Sequence, residues 1–206
     1  TGSTYRRTEA AGEEDLIGSG VHFCATCDGP FYAGADEVVV VGGGNSGLEE
    51  GLFLTQFADH VTVVEYADEL KASRLLQDKV AAHPAMTVLT GTEVAEFVAD
   101  ADARLDRVRL RTRATGEVAD HPASGAFVFV GLDPTTAWLG GILELDERGF
   151  VVTDRTFATS LPGVFAAGDV RSGSTKQLAS AVGEGAAAAL QVRYHLDAQL
   201  GGAAAG

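Results

Sequence analysis

The sequence predicts an α/β fold built on a parallel sheet, and three observations carry that expectation. Two valine-rich runs, 37–41 and 60–65, read as strands buried on both faces. Apolar residues at helical spacing follow each run, in 45–57 and in 71–82. A glycine-rich turn, Gly42-Gly43-Gly44-Asn45-Ser46-Gly47, joins the first run to the first helix. Strand, helix, strand, helix and strand across 37–89 make a βαβαβ unit, whose crossovers imply parallel pairing.

The chain opens on Thr1-Gly2-Ser3-Thr4-Tyr5-Arg6-Arg7 as if entered midway, and 9–17 is acidic and weakly patterned, as in a crossover. Leu48, Leu52 and Phe53 set the face of the helix at 45–57. Leu75, Leu76 and Val80 set that of 71–82, which Pro84 closes. Residues 86–89, 92–99, 106–113 and 117–119 read as short strands, some of them a β-meander, and 126–130 as another apolar strand. The composition shifts after Gly131-Leu132-Asp133-Pro134. Strands are expected at 150–153 and 164–167, then a long alanine-rich helix at 177–200 and a frayed tail at 201–206. Gly183 and Gly185 inside that helix each cost about 1 kcal/mol against alanine, which points to backbone or a ligand packed close by.

Composition narrows the function. The 206 residues, 46% of them hydrophobic, suffice for one large domain or two small ones. A net charge of −14 repels nucleic acid and anionic membrane surfaces. The sequence holds no apolar run long enough to span a bilayer and no signal-peptide pattern at its start, so a cytoplasmic protein is expected. In such a reducing compartment Cys24 and Cys27, the only cysteines, read as catalytic or metal-binding rather than structural. His60, His83, His121 and His195 show no pairing pattern, and Trp138 reads as a packing residue.

Gly42, Gly44 and Gly47 fit G-x-G-x-x-G between a strand and a helix, the Rossmann-like turn that binds a dinucleotide. The first glycine permits the turn, the second admits the pyrophosphate to backbone amides, and the third lets helix and strand pack. The helix N-terminus at Asn45 and Ser46 then faces the phosphates. Glu65 ends the second strand about 20 residues later, where an acid accepts the ribose hydroxyls. No lysine or arginine in Tyr66-Ala67-Asp68-Glu69-Leu70 would offset that carboxylate against a 2′-phosphate, so NADH is expected rather than NADPH.

Cys24-Ala25-Thr26-Cys27-Asp28 is a dithiol that can close a small ring and exchange through a mixed disulfide, with Asp28 as acid/base for a leaving thiolate. A zinc site drawing on His22, Cys24, Cys27 and Asp28, or inert thiols, are the other readings of the same residues.

Cys24-Ala25-Thr26-Cys27-Asp28-Gly29-Pro30 followed by the glycine turn resembles the low-molecular-weight thioredoxin reductases and the flavoprotein subunit of alkyl hydroperoxide reductase. Val63-Val64-Glu65-Tyr66-Ala67-Asp68-Glu69-Leu70-Lys71-Ala72 is similar to the second of these, which uses NADH. Gly163-Val164-Phe165-Ala166-Ala167-Gly168-Asp169-Val170 resembles the family's flavin-binding strand, and Lys176-Gln177-Leu178-Ala179 its segment at the isoalloxazine end. The resemblance implies FAD and a nicotinamide cofactor, and Asp169 bound to the ribityl chain through Gly168-Asp169. It makes Cys27 the thiol facing the flavin, Cys24 the interchange thiol and Asp28 the proton donor. It also implies a thioredoxin-like or peroxidase partner and a homodimer of the longer enzyme. The family's first third has no counterpart, so this reads as the middle and end of a longer chain. On that reading 1–8 ends one flavin-domain segment, 9–131 is the nicotinamide domain carrying the dithiol, and 132–206 is the second, partial flavin segment. The expected activity is NAD(P)H-dependent disulfide reduction, the alternatives being electron supply to a peroxidase or a non-catalytic nucleotide-binding or zinc module.

Overall fold

The structure, a computed structural model, describes residues 1–203. It comprises two compact units, Tyr5–Gly131 and a second made of Thr1–Thr4 with Leu132–Gly206. In chain order the elements are β1 (Ser3–Tyr5), β2 (Val21–His22), α1 (Ala25–Asp28), β3 (Val38–Val41), α2 (Asn45–Leu54), β4 (Val61–Val64) and α3 (Arg74–Ala81). They continue with β5 (Met86–Leu89), β6 (Thr92–Ala99), β7 (Leu105–Thr112), β8 (Val118–Pro122), β9 (Gly125–Val128), β10 (Leu132–Pro134) and α4 (Leu178–Ala203). Among the described residues no helix is long and apolar enough to cross a membrane.

In Tyr5–Gly131 the sheet is parallel throughout, in the order β2-β9-β3-β4-β5. Alternation splits the valines between two cores. Val38, Val40, Val61 and Val63 pack with Leu48, Leu54, Leu76 and Val80 under the helices. Val39, Val41 and Val64 pack with Phe97, Leu105, Val108 and Leu110 under the antiparallel meander β6-β7-β8. Each fully buried valine contributes about 1.5–3 kcal/mol, and Thr62 is the one polar residue among the eight of β3 and β4. The outer face of the meander is charged: Arg107, Arg109 and Arg111, two apart along β7, pair with Asp120, Glu96 and Glu93.

Two helix ends differ from the sequence expectation. α2 stops at Leu54 rather than 57, because Thr55 Oγ1 donates to Leu52 O (2.7 Å) and the amides of Gln56 and Phe57 close a tighter turn. α3 begins at Arg74 rather than 71, its first turn preceded by Ser73, whose N–H donates to Asn45 Oδ1 at 2.7 Å.

The unit that continues from Leu132 departs further. The expected strands at 150–153 and 164–167 do not form; Val151 makes single bridges to Leu145 and Arg171, and Phe165 one to Ala158. The amides of Val151, Val152, Val164 and Ala166 go to scattered backbone carbonyls rather than to one partner strand, and aspartates hold the turns between them. Asp146 Oδ1 accepts from Arg148 N and Phe150 N, and Asp154 Oδ1 from Thr156 N and Ala158 N. Trp138, expected to pack, is 67% exposed, with Leu139 taking the inward place and Trp138 Nε1 donating to Thr135 O. α4 begins and ends near expectation and continues through Ala203; the rest of the expected frayed tail, 204–206, lies outside the described residues. At Gly183 and Gly185 no other backbone packs close: apart from the helix's own backbone, nothing in the described chain lies within 4 Å of where a Cβ would sit, which leaves a ligand as the other expected occupant.

Candidate active site

In Tyr5–Gly131 the glycine turn leaves the C-terminal edge of β3 and enters α2. Gly42 adopts a φ of +119°, and a Cβ there would stand 2.5 Å from Phe129 O. At Gly47 a Cβ would meet the Gly42 carbonyl oxygen, so helix and turn touch through hydrogen alone. Gly44, the N-cap of α2, faces open space instead. The first-turn amides of α2, from Asn45, Ser46 and Gly47, have no intrahelical acceptor and point with the positive end of the helix dipole.

Glu65, at the end of β4, is built into this turn. Its Oε2 accepts from Gly43 N at 2.5 Å and its Oε1 from Ala67 N at 2.8 Å. Each oxygen keeps a lone pair for a further donor. Gly42, Gly44, Glu65, Tyr66 and Lys71 line one cavity of about 520 Å³. Sequence reasoning missed two neighbours. Gly43 carries no side chain because Leu70 and Glu65 occupy the space a Cβ would need. Arg113, from the far end of the meander, stacks on the Tyr66 ring (3.9 Å) and donates to Tyr66 O (3.0 Å). No local pattern links residues 47 positions apart.

The dithiol sits on α1 of the same unit. Cys24 and Cys27 form a disulfide with their Cα atoms 5.3 Å apart. Cys24 precedes the first turn in extended backbone, and its sulfur accepts the Cys27 N–H at 3.2 Å. α1 packs on α2: the Ala25 N–H donates to Glu50, whose carboxyl burial holds above its ordinary value against that bond. Asp28 ends the helical turn, 3.4 Å from the ring of His22, which in turn lies 2.6 Å from the Tyr32 hydroxyl. Burial lowers His22 against the pull of Asp28, and burial with the nearby Asp28 charge pushes Tyr32 up to about 12. His22 was weighed from sequence only as a metal ligand, and Tyr32 gave no signal. Among the described residues no group of three or more His, Cys, Asp or Glu could hold a metal ion.

The other predicted residues lie in the unit that continues from Leu132. Gly168 and Asp169 form a one-turn 3-10 helix ahead of α4, and Asp169 Oδ1 is buried with no partner among the described residues. Arg171 and Glu184 brace this turn through a 2.7 Å ion pair, and Glu184 also accepts from Gly168 N. Lys176 is turned inward, its Nζ donating to Asp169 O and Arg171 O and lying over the Phe150 ring. Gln177 precedes α4, and Leu178 and Ala179 begin it, with Leu178 exposed.

Known proteins share this order of motifs. The pyridine nucleotide-disulphide oxidoreductase family model matches residues 1–185. The chain is 40% identical over 197 residues to a thioredoxin reductase of Listeria innocua, covering 96% of this chain and 61% of that protein. It is 42% identical over 190 residues to an alkyl hydroperoxide reductase subunit of Staphylococcus aureus, covering 92% of this chain and 37% of that one. The crystal structure of thioredoxin reductase from Streptococcus pyogenes aligns with a TM-score of 0.89 at 39% identity, covering 96% of this chain and 64% of that chain. The chain therefore spans about three fifths of the length of the thioredoxin reductases it matches. The family model matches most of a chain that carries a closed C-x-x-C pair on a helix packed on the one that follows a Rossmann-type turn, and the chain belongs to the pyridine nucleotide-disulphide oxidoreductase family.

Proposed function

We propose that the chain supplies the nicotinamide-binding and dithiol parts of a flavin-dependent disulfide reductase that reduces a protein disulfide of thioredoxin type. The observation that carries this reading is the Cys24–Cys27 disulfide on a helix that rests on α2, whose N-terminus is the glycine turn. On this reading 9–131 is the nicotinamide domain, while 1–8 and 132–206 belong to a flavin domain; the enzyme works in the cytoplasm as a homodimer.

The residues fit both cofactors. The open face of Gly44 and the cavity beside it admit a pyrophosphate, with Asn45, Ser46 and Gly47 supplying amides. Glu65 accepts the adenosine ribose hydroxyls on its remaining lone pairs, and the same carboxylate opposes a 2′-phosphate. Lys71 lines the same cavity and Arg113 is engaged at Tyr66 O, so the preference for NADH over NADPH rests on the Glu65 carboxylate. The orphaned Asp169 Oδ1 suits a hydroxyl donor such as the ribityl chain of FAD, beside Gly168 and the Lys176-Gln177-Leu178-Ala179 segment. When bound, the nicotinamide supplies a hydride and the flavin an electron pair that a disulfide can accept.

The chain's own residues do the rest. With the pair reduced, Asp28 takes the proton of the Cys24 thiol and the Cys27 N–H stabilises the resulting thiolate, which attacks the partner disulfide. A Cys24–partner bond forms, the partner bond breaks, and the leaving sulfur takes a proton from Asp28. Cys27 then attacks Cys24 Sγ, re-forming the original disulfide and releasing the second partner thiol.

The test reduces the chain chemically, removes the reductant and adds oxidised thioredoxin. Two thiols should appear on thioredoxin per chain, and Cys27→Ser should trap a mixed disulfide through Cys24. No transfer, or trapping only with Cys24→Ser, would overturn the assignment. Calorimetric titration should show NADH bound about tenfold or more tightly than NADPH, and Glu65→Gln should narrow the gap. The identity shared with the hydroperoxide reductase subunit, together with Glu65, favours one second reading, electron supply to a peroxidase. Transfer to a peroxidase disulfide but not to thioredoxin would select it.

A further inference from the structure

His22, Asp28 and Tyr32 form a linear array beside the dithiol that the mechanism above uses only at one end. The His22 side chain is 10% exposed, with Nδ1 3.4 Å from Asp28 Oδ2 and Nε2 2.6 Å from the Tyr32 hydroxyl. A carboxylate can only accept, so Nδ1 carries the proton; the neutral ring then accepts the Tyr32 O–H at Nε2. Burial favours that neutral ring, and Tyr32 keeps its proton well above neutrality.

The placement is over-determined. The Phe127 ring lies 5.3 Å from His22 and 5.4 Å from Tyr32, and His22 pairs with Phe127 in the β2–β9 register. Gly125, two residues before Phe127, makes room for the phenol: a Cβ there would stand 2.4 Å from the Tyr32 ring. All three polar residues line one cavity of about 870 Å³, from which water can reach the array.

We propose that His22 and Tyr32 are positioning residues for Asp28, Tyr32 fixing the tautomer of His22 and His22 holding the carboxyl group where it gives its proton to a leaving thiolate. The inference rests on the dithiol reading above. As a carboxylate Asp28 takes the proton of the Cys24 thiol, and it then passes that proton to the departing sulfur. A thiolate that leaves readily without protonation needs none of this, and that supplies the test.

The chemically reduced chain is mixed with hydroxyethyl disulfide, whose alkyl thiolate is basic, and separately with dithiobis(nitrobenzoate), whose aryl thiolate is not. Asp28→Asn should lower the alkyl-to-aryl rate ratio about 100-fold, and His22→Phe, which keeps the ring stack, about tenfold. His22→Asn places an amide N–H where Nδ1 stands and should restore the ratio to within about threefold of wild type; Tyr32→Phe should fall between. In an Asp28→Asn background, His22→Phe should have no further effect. A ratio unchanged by His22→Phe, or not rescued by His22→Asn, would overturn the proposal while leaving the dithiol reading intact. A wild-type chain inert to both disulfides would sink both.

Discussion

The turn after β3, in one unit, and helix α4, in the other, use glycine in opposite ways. In the turn after β3 two glycines are pressed against backbone: a Cβ at Gly47 would overlap the Gly42 carbonyl, and one at Gly42 would crowd Phe129 O. In α4, Gly183 and Gly185 face open space. The same contrast runs through the cores. The first unit closes apolar clusters on both faces of its sheet, whereas the second gathers Leu139, Val151 and Val170 into one small cluster and leaves Leu178, Val182 and Leu196 of α4 exposed. A glycine therefore reports a site only where the fold closes on it. A sequence shows the residue and not the closure.

The largest expected effect breaks the closed side of this contrast. Gly47→Ala forces a methyl group into the Gly42 carbonyl, which neither a rotamer change nor a flexible neighbour can relieve. About 3 kcal/mol or more of stability should be lost, along with detectable NADH binding, because the turn must move away from the helix N-terminus. Urea unfolding and calorimetric titration check the two together. A variant that binds NADH like wild type would mean that the turn relaxes freely and that its glycines are not there for closeness.

A smaller effect probes the brace in the second unit. Arg171 holds the Glu184 carboxyl below its ordinary value of 4.5. The pair is mostly buried, with side-chain exposures of 17% and 14%. A carboxyl lowered in the folded state stabilises fully above its unfolded value and loses that contribution as pH falls through the folded one. Stability of this unit should thus be flat above about pH 5 and fall below about pH 4.5. Glu184→Gln should cost about 2 kcal/mol at pH 7, since it leaves Arg171 uncompensated, and should flatten the acid limb. Thermal melts across pH 3–7 measure both; an unchanged acid limb in the variant would assign it to Asp146 and Asp154, which are also held low.

What could be read in advance follows the same division. β3 and β4 were legible because central parallel strands are buried on both faces, so Val38–Val41 and Val61–Val64 carry their own evidence. β5 and β6 also emerged at their expected bounds, although neither is buried along its length. The runs at 150–153 and 164–167 look equally apolar, but a strand needs a partner, and their amides go to separate carbonyls at Val170, Glu144, Leu161 and Phe157, leaving only isolated bridges. At the site, Cys24, Cys27, Asp28, Gly42 and Glu65 declared themselves through spacing. His22 and Tyr32 did not, because the β2–β9 register and the space at Gly125 bring them together, and neither is a property of the segment that contains them.

The smallest prediction tests the open side. Gly183 is exposed, lies inside a 26-residue helix and has nothing within 4 Å of a would-be Cβ. Alanine there removes unfolded-state freedom and improves helix propensity without meeting an obstacle, so Gly183→Ala should raise stability by about 1 kcal/mol. The sign is opposite to that at Gly47, although both substitutions add one methyl group within a helix. Loss of stability would mean that something already approaches this face. A third outcome separates folding from binding: if alanine stabilises the chain yet weakens added FAD severalfold, the glycine keeps backbone open for the flavin, at a cost in stability that the unliganded helix carries.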